Sequence, residues 1–480
     1  ISNKSFKPWG EWFPFATGLA EVEVQLISSE NNSQEVRISV DTSNLTMSLP
    51  ALHFTKNIGI RADVIGHLSL KSWAPASPLY FEIISDEVEG TAVVELDENF
   101  VPTKIDLKDI SYKEESLNAQ LFFADGEFKE VDLRTKSFDL SSIDLTAETK
   151  PFGLQKGRFS VSELIANPST SLLNTKIGYD AFNKDAIAVV VEAEELVIEK
   201  AFIAILDDIR TSSDQIINKT VGISGSIKRV SSANGGTLLN LQGKASFQNG
   251  KLIRVRLEAY FNDTEKIRIE ITGTGTEQKI ALTSDNAGKV LQMLNLTPNL
   301  VGGKLYMEAK YDDDGESDSL IGHCTVLDFH VINTPILAQL LSISVPTNVF
   351  EILSGNGLPF ARLQVPFRYT NSALEVIKAR ATGISLGITL NGNIDLNQKS
   401  ADLNGTIIPA YLLNSIVGAV PVIGDILTGS EKEGIFAATY SARGPTNDLE
   451  ISVNPLTVLA PGILRDLLNL FLPKKSQPIQ

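Results

Sequence analysis

The 480 residues are 43% apolar and 21% charged, the balance of a folded chain rather than of a disordered or polytopic membrane protein. A formal charge of −16 leaves no surplus of Lys and Arg for nucleic acid or for broad docking onto anionic lipid, so any membrane contact is expected to be apolar and local. The length exceeds what one compact core usually serves, which points to two domains or one elongated body.

The single cysteine, Cys324, rules out an intramolecular disulfide framework and a multi-cysteine zinc site. The chain starts at Ile1 and runs directly into Lys4, Lys7 and Trp9-Gly10-Glu11-Trp12, without a signal-peptide pattern. A start without Met is what a fragment or a processed product would show.

Period-two alternation begins early and recurs almost throughout. Val22, Val24 and Leu26 alternate with Glu21, Glu23 and Gln25, and Val36, Ile38 and Val40 alternate with Arg37 and Ser39. Such runs predict antiparallel strands with one apolar and one wet face. Asp125-Gly126, Asn249-Gly250 and Asp314-Gly315 tolerate positive φ and predict hairpin turns between them. Leu117 to Leu133 and Leu241 to Leu257 share one pattern of strand, turn and strand, so hairpins are expected to add side by side. At about 4.8 Å per strand, some 20–30 strands would make a body on the order of 100 Å long. In Ala186 to Arg210 the β-branched Val189-Val190-Val191 favours strand at the start, and helix competes with strand after Ile198.

Helical spacing comes late, in four short, amphipathic segments led by proline. Thr334-Pro335 offers a cap and a first-turn proline ahead of Ile336, Leu337, Leu340 and Leu341. The others are Pro346 to Ser354, ended by Gly355; Pro409 to Val417; and Pro461 to Phe471, which aligns Ile463, Leu464, Leu467, Leu468 and Phe471. The expected division is residues 1–280, a repeating β-hairpin groove region, and 281–480, a domain with these short helices.

Several motifs suggest chemistry and fail on context. Gly383-Ile384-Ser385-Leu386-Gly387 matches a nucleophile elbow, but alternation runs on to Leu396, so no helix starts there, and His53, His67, His323 and His330 all lie upstream. His323 and Cys324 are neighbours, which a strand turns to opposite faces, and no metal site is expected. Asp312 to Asp318 places its glycine wrongly for a calcium loop, so a solvated hairpin turn is expected. Gly273-Thr274-Gly275-Thr276 lacks the lysine of a phosphate loop. Leu403 to Gly424 is free of charge, but Pro409, Pro421, Asn404, Asn414 and three glycines break it into strand, helix and loop rather than a membrane span.

The late motifs carry a resemblance. Ile332-Asn333-Thr334-Pro335-Ile336-Leu337, Gly355-Asn356-Gly357-Leu358-Pro359-Phe360 and Gly405-Thr406-Ile407-Ile408-Pro409-Ala410-Tyr411-Leu412-Leu413-Asn414 form its first part. Pro421-Val422-Ile423-Gly424-Asp425-Ile426-Leu427-Thr428-Gly429, Val453-Asn454-Pro455-Leu456 and Ala460-Pro461-Gly462-Ile463-Leu464-Arg465 complete it. From about Asp285 to Phe471 the chain resembles the C-terminal region of AsmA-like proteins, the YhdP-type branch, which are similar to bridge-like lipid transfer proteins. The resemblance implies a periplasmic protein of a Gram-negative envelope, anchored in the inner membrane through a segment missing from this chain. It implies a long antiparallel sheet curled into an apolar groove (β-taco type), along which phospholipid acyl chains pass between inner and outer membrane.

The residues support a matching expectation. A sheet with one apolar face and too few helices to cover it must curl on itself or bind something greasy. Ile253, Val255, Leu257, Ile384, Leu386, Ile388, Leu390, Ile394 and Leu396 are the expected groove lining. Ile463, Leu464, Leu467, Leu468 and Phe471 would contact a membrane or an outer-membrane or envelope protein partner. Acyl chains require no cofactor and no catalytic residue, so a non-enzymatic conduit is expected. The alternative is a structural or regulatory protein of outer-membrane assembly whose sheet is closed and dry.

Overall fold

The chain is mainly β in a computed structural model describing residues 16–29, 32–85, 87–140, 155–167, 170–183, 186–198, 219–232, 236–249, 251–274, 277–294, 296–313, 318–332, 357–370, 373–383, 386–409, 437–446 and 449–456. The first strands are β1 (Ala16–Gly18), β2 (Glu21–Ser28), β3 (Ser33–Asp41), β4 (Leu45–Leu49), β5 (Phe54–Lys56), β6 (Ala62–Lys71), β7 (Ala74–Pro75), β8 (Leu79–Ser85), β9 (Val88–Leu96), β10 (Pro102–Tyr112), β11 (Glu115–Ala124) and β12 (Glu127–Asp139). Next come β13 (Lys156–Asn167), β14 (Thr170–Asn183), β15 (Ala186–Ile198), β16 (Thr220–Ser232), β17 (Thr237–Gln248), β18 (Lys251–Tyr260), β19 (Lys266–Thr272) and β20 (Lys279–Ser284). After the helix α1 (Ala287–Met293) follow β21 (Leu300–Asp313), β22 (Asp318–Val331), β23 (Leu358–Thr370), β24 (Ala373–Gly383), β25 (Leu386–Asp395), β26 (Ser400–Pro409), β27 (Ala437–Pro445) and β28 (Glu450–Leu456). Of these strands 25 belong to one large mixed sheet, while β1, β4 and β5 form a small sheet of their own.

Two compact units divide the chain. Unit 1 comprises Ile1–Lys200, Asp208–Ala233 and Leu239–Leu252; unit 2 comprises Ala201–Asp207, Asn234–Leu238 and Ile253–Gln480.

In unit 1 the alternating runs become strands wherever a turn residue can reverse the chain. Asp125 and Gly126 both hold positive φ, 54° and 72°, the pair of values a two-residue primed turn needs between β11 and β12. Gly66 serves a different need. The ring of Phe81 lies over it, so that a β-carbon at 66 would sit 2.7 Å from the ring.

The sheet is not antiparallel throughout. β12 pairs with β13 in parallel, and β15 with β16 in parallel. A hairpin turn cannot join parallel neighbours, so each pair needs a long crossover, and residues 140–155 and 199–219 supply the two connections. Val189-Val190-Val191 lie in β15, which runs to Ile198 as the β-branched residues favour. The segment after it, where helix competes, lies outside the described residues.

In unit 2 every described ladder from β18 to β28 is antiparallel. α1, which apolar spacing does not predict, starts at Asn286, whose side chain accepts from the Lys289 N–H at 3.0 Å. α1 packs on β21 so closely that a β-carbon on Gly288 would fall 2.3 Å from the Leu300 carbonyl oxygen. Of the alternating run from Ile384 to Leu396, Leu386–Asp395 form the single strand β25, Leu396 lies beyond its end, and residues 384 and 385 lie outside the described residues. The four proline-led helices fall, apart from Pro409 at the end of β26, outside the described residues, as does 410–424 of the charge-free run. Among the described residues no helix is long and apolar enough to cross a membrane.

Candidate functional site

Strand register decides what one-sided alternation becomes. In unit 2 the directly opposed residues on one face run Val255, Ile271, Ile280, Ala309, Gly322, Phe367, Val376, Gly392, Leu403, Ala442 and Ile451, one from each strand from β18 to β28. All are apolar, and none is exposed. One residue away, the row on the opposite face reads Arg254, Thr272, Lys279, Lys310, Ile321, Arg368, Glu375, Asn393, Asp402, Arg443 and Glu450. A slip of one residue in any ladder would exchange the rows, so burial of the apolar face fixes the pairing.

A second apolar row crosses the same face through Leu305, Val326, Leu363, Ala381, Ile388, Ile407 and Ala438. Part of it opens into a cavity of about 240 Å³, lined by Leu300, Phe329, Val331, Phe360, Leu363, Ala379, Ala381, Ile388, Leu390 and Tyr440, with Thr297, Asn299 and Arg380 also on its wall. Phe329 and Phe360, opposed across β22 and β23, stack with centroids 5.2 Å apart. An apolar cavity of about 150 Å³ already admits a benzene-sized guest, so this one has room for a stretch of hydrocarbon.

The face holds two groups with chemistry of their own, and burial quiets both. The Cys324 thiol, opposed to Met307 and Val365, is pushed up to about 12 by burial, which leaves it protonated and unreactive at neutral pH. The Tyr440 phenol is likewise pushed upward by burial, and its hydroxyl donates to the Thr389 carbonyl at 2.9 Å. Charge sits on the other face. There Glu258 accepts from Lys266 and Arg268, both at 2.8 Å, and these two cations hold its carboxyl down at about 2. His323 is exposed while Cys324 beside it is not, the alternation a strand imposes.

The expected lining residues divide under this geometry. Ile388 and Leu390 meet in the cavity. Leu386, only 2% exposed, is opposed to Pro409 on β26 and does not line the cavity. Ile394 is half-buried and opposed to Leu374 and Ala401, and Leu396 is half-buried in the turn after β25. Val255 is buried, and Ile253 and Leu257 are half-buried on the same face of β18. Ile384 and the helix residues Ile463, Leu464, Leu467, Leu468 and Phe471 lie outside the described residues. Sequence reading passed over Phe329, Phe360, Leu363 and Tyr440. Leu363, Val365, Phe367 and Tyr369 alternate with Gln364, Pro366 and Arg368 as strictly as Leu386 to Ile394 do, a signal that could have placed β23 on this face.

Unit 1 carries a comparable row: Val24, Ile38, Gly66, Phe81, Ala92, Leu107, Ala119, Leu133, Phe159, Ile177, Val191 and Gly225. Its small sheet is tied to the large one by Phe54, edge-on to Tyr112 at 4.9 Å, and by the Tyr112 hydroxyl, which donates to the Thr55 carbonyl at 2.8 Å. No family model, curated protein or solved structure matches the chain.

Proposed function

We propose that this chain is an AsmA-like protein of the YhdP-type branch that carries phospholipid between the inner and outer membranes of a cell envelope. In this reading the sheet curls into a groove, acyl chains slide along the apolar rows, and headgroups stay in water at the rim. The observation that carries it is the unbroken apolar row from Val255 to Ile451, opposite a row that is polar at every position but Ile321. Hydrocarbon needs neither hydrogen bonds nor charge, so a continuous apolar lining is sufficient chemistry, and the protein is non-enzymatic. A structural or regulatory protein of outer-membrane assembly is the second reading. It is favoured by Phe329, Ala379 and Ala442, which are closed to solvent as in a dry core.

A photoreactive benzoyl-phenylalanine placed singly at Ile388, Leu363 or Arg256 separates the two. The conduit reading expects phospholipid adducts in cells at the first two positions and none at Arg256. Absence of lipid at every apolar position would leave the dry scaffold.

A further inference from the structure

We infer that the cavity under the small sheet of unit 1 binds a neutral single-chain amphiphile through a hydroxyl head. The cavity measures about 190 Å³. Met47, Leu52 and Phe54 wall it on the side of the small sheet, and Ile110 and Leu117 on the side of the large one. That is more than the roughly 150 Å³ that suffices for a benzene-sized apolar guest.

Two polar groups interrupt this lining. Lys56 is 2% exposed; its Nζ donates to the Thr42 carbonyl at 2.6 Å and the Leu45 carbonyl at 2.9 Å. An ammonium has three donors, so one N–H is left without an acceptor among the described residues. No described carboxylate lies within ion-pair distance of it, and burial pulls its ammonium below the ordinary lysine value, against the pull of Asp41. Glu115 lines the same cavity, and its Oε2 is shut off from solvent with no hydrogen-bond partner. Leaving either group unmatched in an apolar enclosure is costly.

The lining therefore lacks one acceptor and one donor, and its two charges cancel. A hydroxyl supplies both functions, donating to Glu115 and accepting from Lys56. A fatty carboxylate would meet Glu115 as a like charge, and an alkylammonium would meet Lys56 as one. A saturated chain fills the apolar remainder. The unmet donor and acceptor stand whether or not phospholipid travels along the sheet.

The test is calorimetric titration of the delipidated full chain with 1-octanol, octanoate and octylamine, which share one tail and differ in head charge. The expected result is saturable binding of 1-octanol, about tenfold tighter than either charged probe. Glu115→Leu should weaken 1-octanol by about tenfold, because the acceptor is gone. Glu115→Gln keeps size and an acceptor, so it should leave 1-octanol within a few-fold and strengthen octanoate about tenfold, even if the Leu variant fails to fold. A diazirine-bearing octanol should label peptides containing Met47 or Leu52. Equal affinity for the three probes, no response of octanoate to Glu115→Gln, or labelling confined to unit 2 would overturn the assignment. Loss of phospholipid co-purification with alcohol binding intact would count against the conduit alone.

Discussion

In unit 1 part of the apolar face, on β6 and β8 to β12, is met by a second sheet of three strands, which brings its own Lys56 to that face and closes a cavity beside Glu115. In unit 2 the face from Val255 to Ile451 is met by no second sheet among the described residues, and two of its buried aromatics, Phe329 and Phe360, stack on one another. The same period-two alternation produced both rows. What differs is the cover, and cover decides whether polar groups are brought to an apolar surface. On the readings proposed above, unit 1 would select a head group, whereas unit 2 would offer hydrocarbon contact without selection. Topology differs too: unit 1 holds both of the described parallel ladders, and unit 2 is antiparallel in every described ladder.

The sharpest way to break this comparison is to charge the unit 2 face at two neighbouring positions. Leu386→Asp buries an unpaired carboxyl where 2% of the side chain is exposed, and should cost more than about 4 kcal/mol in denaturant unfolding. Ile388→Asp, at a half-buried position on the cavity wall, should cost less than about 2 kcal/mol and still remove bound lipid. If both unfold the protein alike, the cavity wall is ordinary core.

Cys324 reports on the same face without disturbing it. With its thiol held at about 12, alkylation by iodoacetamide at pH 8 should run roughly a thousandfold slower than for a free cysteine, and reach the ordinary rate on unfolding. Rapid native alkylation would mean that water reaches the row at β22.

A smaller effect isolates the cover of unit 1. Tyr112→Phe removes the hydrogen bond to Thr55 and should cost about 1 kcal/mol. Amide exchange should quicken in β1, β4 and β5 while unit 2 stays protected; uniform quickening would deny the small sheet any independence. The smallest effect lies on the wet face. Glu258 falls from an ordinary value near 4.5 to about 2, so its ion pairs with Lys266 and Arg268 stabilise fully above pH 4.5 and lose their contribution as pH drops through about 2. Because these side chains are about a third or more exposed, Glu258→Gln should cost less than about 1 kcal/mol at pH 7, and the difference should vanish near pH 2. A constant difference across that range would remove the ion pairs as its cause.

Much of the architecture was legible because side-chain alternation is a local property: Val22 to Leu26, Val36 to Val40 and Ile253 to Ala259 each declare a wet and a dry side without reference to a partner. Asp125-Gly126 likewise fixes its turn alone. Parallel pairing was not legible, since β12 and β13 alternate as they would in an antiparallel pair and only the length of 140–155 separates the cases. α1 escaped because Ala287-Gly288-Lys289 shows no apolar stripe and its start rests on one cap, Asn286. Cavity walls depend on register across strands far apart in sequence, which is why Ile388 was readable while its neighbours Phe329 and Tyr440 were not. Lys56, between Thr55 and Asn57, looks like any surface lysine until β5, which it ends, packs against the large sheet.

Whether the rows carry lipid is tested most directly by native mass spectrometry of the purified full chain, with organic extraction of whatever accompanies it. A conduit predicts phospholipid at several molecules per chain, depleted in Ile388→Asp while the fold persists. A clean apo mass, unchanged after incubation with phospholipid vesicles, would contradict it and return the rows from Val255 to Ile451 to the status of a dry core.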